Sequence, residues 1–205
     1  MKTKTLVIVE SPAKCKKIET YLGADKYSCV ASYGHFRQLA SLKDVDDNYN
    51  IKFLEMEEKK KYIKALRTAI SKSKNVILAT DDDREGEAIA WHICDAFGLD
   101  VKTTPRIIFQ EITKTALKKA INNPKHIDMD LVNAQHTRQI VDMALGFKIS
   151  PLLWSAITRK SKTGLSAGRC QTPALKIVYE NNEIVKDHPG VLSYTTIGYF
   201  TSKNI

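Results

Sequence analysis

Asn75-Val76-Ile77-Leu78-Ala79-Thr80-Asp81-Asp82-Asp83-Arg84-Glu85-Gly86-Glu87 sets the architecture of this chain. Within its first six residues, Val76–Ala79 form an apolar run without alternation, the pattern of a strand covered on both faces in a parallel sheet. The run stops at Asp81. Glu87–Phe97 then places Ile89, Ile93, Ala96 and Phe97 on one helical face, with Gly98 as a stop. Upstream, Leu6-Val7-Ile8-Val9 repeats the arrangement and ends at Glu10. Ser11-Pro12 starts a helix, with serine as N-cap and proline at the first position, and the helix runs to Leu22 before Gly23.

Working outward, Tyr27–Tyr33 predicts a second strand, Asp44–Asn50 a turn, and Glu55–Ser73 a helix with Tyr62, Ile63, Leu66 and Ile70 at helical spacing. Arg106–Phe109 and Thr113–Ile121 add a strand and a helix. Strands alternating with helices give an α/β domain with a mostly parallel sheet and flanking helices over residues 1–122. From Asp130 the pattern is helical: one helix to Gly146, a second after Pro151 and a third from Gln171–Thr172 to Lys186. Residues 123–188 therefore form a mainly α-helical domain. Val191–Phe200 reads as a strand after Pro189-Gly190, opening a further β element over 189–205.

The 205 residues carry a formal net charge of +9. Residues 1–100 hold 17 basic and 16 acidic side chains, whereas residues 101–205 hold 15 and 7. A basic half beside a concentrated acidic cluster suits a protein that holds a polyanion and places a divalent cation near it. No apolar run reaches the roughly 20 residues of a membrane helix. Cys15, Cys29, Cys94 and Cys170 make no C-x-x-C pair and read as reduced thiols of an intracellular protein.

Two predicted strands, Leu6–Val9 and Val76–Thr80, end in carboxylates at the edge where open parallel sheets bind ligands. If the segment after Thr80 is extended, Asp81, Asp83 and Glu85 share one side. Clustered carboxylates repel unless a cation neutralises them, and hard oxygen donors select Mg²⁺, Mn²⁺ or Ca²⁺. An acidic run is ordinarily a solvated loop. Its place at a strand end, opposite the strand-end Glu10, favours a site.

Leu6-Val7-Ile8-Val9-Glu10-Ser11-Pro12-Ala13-Lys14 and the segment from Ala79 to His92 resemble the two signature segments of the Toprim domain in type IA DNA topoisomerases, the bacterial topoisomerase I branch above all. Five further segments match in order: Ser32–Arg37, Arg106–Thr113, Asn133–Arg138, Ser150–Trp154 and Leu165–Gln171. The resemblance implies an enzyme that relaxes negatively supercoiled DNA without ATP. It breaks one strand by transesterification from a tyrosine, passes another strand through the gap, and reseals.

By this similarity Glu10, Asp81 and Asp83 are the acidic set that works with Mg²⁺, and Glu85 completes the D-x-D-x-E pattern. Glu10 has a second reading, as general acid for the departing 3′ oxygen. Lys14 lies one turn beyond Glu10 on the same face and can meet a phosphate. His35 and Arg106 are implied contacts of DNA or the active site. Arg84 either pairs with its carboxylate neighbours or reaches DNA. Arg138 lies on the family's single-stranded DNA path, where Gln139 and Met143 replace arginines frequent in relatives; Lys148 and Ser155 lie further along it. Ser166, Ala167, Gly168, Arg169, Cys170 and Gln171 form a small-residue turn into a helix whose N–H groups suit a phosphate. Cys170 stands where relatives often carry valine. The basic loop 159–163 reads equally as a solvated connection or a DNA contact.

None of the eight tyrosines has the family's context around the nucleophile. The expectation is the N-terminal part of such an enzyme, partnered by DNA and by the remainder of the enzyme after Ile205. The alternative is a stand-alone Toprim module that binds DNA without cleaving it.

Overall fold

The computed structural model describes residues 4–157, 164–188 and 190–200. Three parallel strands form its centre: β1 (Thr5–Val9), β2 (Tyr27–Ala31) and β5 (Asn75–Ala79), in the order β2-β1-β5. The helices are α1 (Pro12–Leu22), α2 (Lys60–Lys72), α3 (Arg84–Phe97), α4 (Lys114–Asn122), α5 (Met129–Ala156) and α6 (Gln171–Asp187). Two short strands, β3 (Arg37–Gln38) and β4 (Leu54–Glu55), pair antiparallel in a separate ribbon.

β1 is central because both its faces are apolar. Leu6 and Ile8 pack with Ile63 and Leu66 of α2 and Ile89 and Ile93 of α3. Val7 and Val9 point the other way, onto Ile18 of α1 and Leu117 and Ala120 of α4. A one-residue slip would exchange the two faces, so burial on both sides specifies the register. That register aligns Val9 with Ala31 and with Ala79, so all three strands end level. Glu10, Ser32 and Thr80 leave from one edge.

Several expected elements differ. α3 begins at Arg84, not Glu87, because the Asp83 carboxylate caps it by accepting the Gly86 N–H at 2.7 Å. Arg106–Phe109 is not a strand: it joins the sheet through one bridge between Leu78 and Arg106, and Arg106 also bridges Lys125. Gly146 and Pro151 do not divide the helical region, and α5 runs through both. Residues 190–200 have no regular structure and are solvent-exposed, because their N–H and C=O groups find no strand partner among the described residues. Residues 159–163 lie outside the described residues.

The chain packs as two compact units, Met1–Ala144 and Leu145–Ile205. Ile127 and Val132 enter the core of the first unit. Among the described residues no helix is long and apolar enough to cross a membrane.

The first unit also buries histidines. His92 is fully buried among Phe36, Phe53, Trp91 and His136, and neither ring nitrogen has a hydrogen-bond partner. Burial, reinforced by the Arg37 charge, pushes its pKa down to about 2; the same two causes bring His136 to about 4. Unfolded histidines take up protons near pH 6.5, which these folded ones refuse. Their stabilisation is therefore complete above that pH and drains away as pH falls, by up to about 1.4 kcal/mol per pH unit for each group. Urea midpoints are expected to fall from pH 7.5 to pH 5. His92→Phe should flatten that slope; an unchanged slope would contradict the assignment.

Candidate active site

The strand ends assemble the site. Past Val9, the Glu10 backbone C=O accepts the Tyr33 N–H at 2.9 Å, and its carboxylate accepts the Asp81 N–H at 2.8 Å. The ends of all three strands are thereby tied together. Lys14, one turn into α1, forms an ion pair with the Asp81 carboxylate. Thus Glu10, Lys14 and Asp81 are brought together as the sequence predicts, with the lysine on a carboxylate.

Glu85 points elsewhere. Because the chain turns helical at Arg84, Asp81, Asp83 and Glu85 do not share one side of an extended segment. The Glu85 carboxylate instead accepts three hydrogen bonds: from His35 Nε2 at 3.1 Å, Gln135 Nε2 at 3.0 Å and Arg138 Nη1 at 3.2 Å. It fastens the start of α3 to the Gly34–His35 loop and to α5. Gln135 is a site residue that motif reading left without a role. Arg138 also meets Asp142 at 3.6 Å. Arg84 is exposed, and its side chain pairs with no acid among the described residues, leaving it directed at solvent.

Arg106, expected as a contact of DNA or of the active site, lies beneath the acidic loop. It is fully buried; Nε donates to Thr80 Oγ1 at 3.1 Å, Nη2 donates to the Asp81 C=O at 2.7 Å, and Nη1 pairs with Glu87 at 2.9 Å. A charge this deep is held by an equally buried counter-charge. Burial raises the Glu87 pKa and Arg106 pulls it back. Arg106 therefore holds the acidic loop from beneath. Glu87 escaped sequence reading because its partner is 19 residues away and carries no local signal. Gly86 completes the loop: a Cβ there would lie 2.1 Å from the Asp81 carbonyl oxygen, so the helix can approach Asp81 only without a side chain.

The electrostatics suit a cation. Burial pushes the Glu10 carboxyl above its ordinary range; the Asp81 N–H counters this, and the Asp81 and Asp83 carboxylates add to it. A buried carboxyl with two further carboxylates beside it offers the hard oxygen donors that suit a divalent ion such as Mg²⁺. Among the described residues no three acidic, His or Cys groups already converge as ligands. Asp83 faces the Gly86 N–H and Asp81 faces Lys14, so joint coordination would exchange those contacts for the ion.

Beside the acids, His35, Arg37, Leu39, Met56, Gln139 and Met143 line a cleft of about 420 Å³. Gln139 and Met143 thus flank Arg138 on the first unit. Lys148, Ser155 and the Ser166–Gln171 turn belong to the second unit. There the Ala167 N–H donates to Ser150 Oγ at 3.2 Å and the Gly168 N–H to Thr172 Oγ1 at 3.3 Å. The expected phosphate cradle therefore has two of its donors engaged by hydroxyls. The Ser166 and Gln171 side chains bond each other at 3.2 Å, Ser155 Oγ donates to the Leu152 C=O, and Arg169 and Cys170 are exposed.

Comparison with known proteins agrees with this geometry. Residues 5–112 match the Toprim domain, and residues 126–202 match a DNA topoisomerase domain. Full-length topoisomerase I from Thermotoga maritima superposes with a TM-score of 0.72 at 37% identity, over 90% of this chain and 31% of that one. A parallel sheet whose level strand ends gather Glu10, Lys14 and Asp81, together with these matches, places the chain in the type IA DNA topoisomerase family, of which it carries the Toprim domain and part of the topoisomerase domain.

Proposed function

We propose that this chain supplies the metal-holding acidic site and the first part of the single-stranded DNA path of an intracellular enzyme that relaxes negatively supercoiled DNA without ATP. The observation that carries the reading is the Glu85 clamp, which joins the acidic strand edge to Arg138 of α5. In this reading Lys14 and Arg138 meet phosphates of the strand to be cut, His35 helps fix Glu85, and Arg84 reaches DNA from solvent. Glu10, Asp81 and Asp83 would hold Mg²⁺, which when bound supplies positive charge to orient the scissile phosphates. In the alternative role Glu10, whose proton affinity burial raises, hands a proton to the departing 3′ oxygen instead of binding the ion. The nucleophilic tyrosine comes from outside residues 1–205. Lys148, Ser155 and Ser166–Gln171 continue the DNA path. With Gln139 and Met143 neutral, Arg138 carries more of the phosphate attraction than in relatives with arginines there.

The test is binding of a fluorescent single-stranded oligonucleotide across a salt series, with Mg²⁺ present. Binding should weaken with salt, and Arg138→Ala should make log K against log salt shallower by about 0.7, the share of one phosphate contact. Absence of binding, or an unchanged slope, would refute the reading. On negatively supercoiled plasmid the chain alone should leave topoisomers unchanged; relaxation with a covalent tyrosyl adduct would refute the assignment of the nucleophile elsewhere.

A further inference from the structure

The near-neutral balance of residues 1–100 conceals a segregation. Residues 59–74 contain seven lysines and arginines and no acid, whereas the rest of that half holds ten basic and sixteen acidic residues. Nearly all of this basic run belongs to α2, whose inner face, Ile63 and Leu66, is buried against the sheet. Lys61, Lys64 and Lys72 lie on the side turned away from Ile63 and Leu66, Lys60 and Arg67 stand at its margin one turn either side of Ile63, and all five are exposed. The side chains of Lys61, Lys64 and Lys72 pair with no acid among the described residues. Lys60 meets Glu57 at 2.7 Å and Arg67 meets Glu55 at 3.9 Å; exposed pairs of this kind contribute little and exchange readily for phosphate.

The stripe is continuous with the acidic edge. Just before α2, Lys59 Nζ donates to the Tyr33 C=O at 2.8 Å, and the Tyr33 N–H donates to the Glu10 C=O. Tyr33, in a left-handed conformation at φ 60°, stacks on Tyr62 of α2 with centroids 4.0 Å apart.

We propose that the outer face of α2 is a second DNA-binding surface, which grips the phosphate backbone of duplex DNA flanking the single-stranded site. This rests on the proposed DNA role for the identity of the polyanion. Lys60 to Lys72 spans about 18 Å, close to half a turn of B-form duplex, which repeats every 34–36 Å or so. The outward Lys61, Lys64 and Lys72 offer cations alone, which suits contacts to the phosphate backbone of a duplex. An anionic membrane does not fit, because the apolar face of α2 is already buried in the core.

The experiment is fluorescence anisotropy of the full chain with a 24-base-pair duplex and with a single-stranded oligonucleotide, at several salt concentrations. The variant replaces Lys60, Lys61, Lys64 and Lys72 with Gln. A control of equal charge loss replaces Lys16, Lys17, Lys118 and Lys119 with Gln, and melting curves show that both fold. The α2 variant should bind duplex at least about tenfold more weakly near 0.1 M salt, with a slope shallower by about 3 to 4. Its single-strand affinity should stay within about twofold of wild type, since Arg138 and the acidic edge are untouched. Equal losses in the control, or equal losses on single strands, would overturn the proposal. Wild type that binds single strands but not duplex overturns it while sparing the proposed function; wild type that binds neither sinks both.

Discussion

Gly86→Ala is expected to destabilise the first unit by about 3 kcal/mol or more, which lowers its melting temperature by roughly 6–12 °C. The added methyl would meet backbone, with the Asp81 oxygen at 2.1 Å and its carbon and nitrogen both at 2.9 Å. Asp81 cannot yield cheaply, because Glu10 holds its N–H and Arg106 holds its carbonyl. Relief must come from moving the start of α3, which also breaks the Asp83 cap and drags Glu85 away from His35, Gln135 and Arg138. Calorimetry and the oligonucleotide assay should therefore fail together. A variant melting within about 2 °C of wild type would show that the loop is far softer than its contacts imply.

Arg106→Met is the second large effect, about 3–5 kcal/mol. It leaves the buried Glu87 carboxylate without its counter-charge and releases the Asp81 carbonyl. Burial already raises the Glu87 pKa, and loss of the cation raises it further, so the deficit should shrink as pH falls from 8 toward 5 and the carboxyl takes up a proton. Adding Glu87→Gln removes the stranded charge while keeping an acceptor for the Asp128 N–H, which lies at 3.2 Å. The double variant should recover much of the loss in urea denaturation. A double variant no better than the single one would mean that Arg106 acts through the Asp81 carbonyl alone.

These two cases mark where the sequence was legible. Leu6–Val9 and Val76–Ala79 announced themselves as short apolar runs bounded by turn signals, which suit a strand covered on both faces, and Pro12 and Gly23 bound α1, with Ser11 at the N-cap position making no side-chain cap. Asp81-Asp82-Asp83 misled because one carboxylate in it is an N-cap, which starts the helix three residues early. Gly146 and Pro151 look like stops in isolation, yet α5 passes through both. The burial of Arg106 was not legible because it depends on Glu87, Thr80 and Asp81, all distant in sequence. The strand expected in 191–200 finds no partner among the described residues. Averaging charge over half a chain hid the basic stripe of α2 behind the acidic edge it adjoins.

The order β2-β1-β5 also constrains how the molecule is born. The central strand leaves the ribosome well before its second neighbour, which lies 70 residues later. At roughly 5–20 residues per second, β1 waits about 4 to 14 seconds with one edge unpaired, its N–H and C=O groups open to any passing strand. Closing so long a loop is slow as well, since its entropy must be lost before β5 returns any contact. Glu10 meets the Asp81 N–H only when that closure occurs, and Glu85 must wait longer still, for Arg138. The acidic edge is thus the last part of the first unit to exist, and a nascent chain stalled before residue 75 would expose a sticky hydrophobic ribbon with no carboxylate cluster at its end.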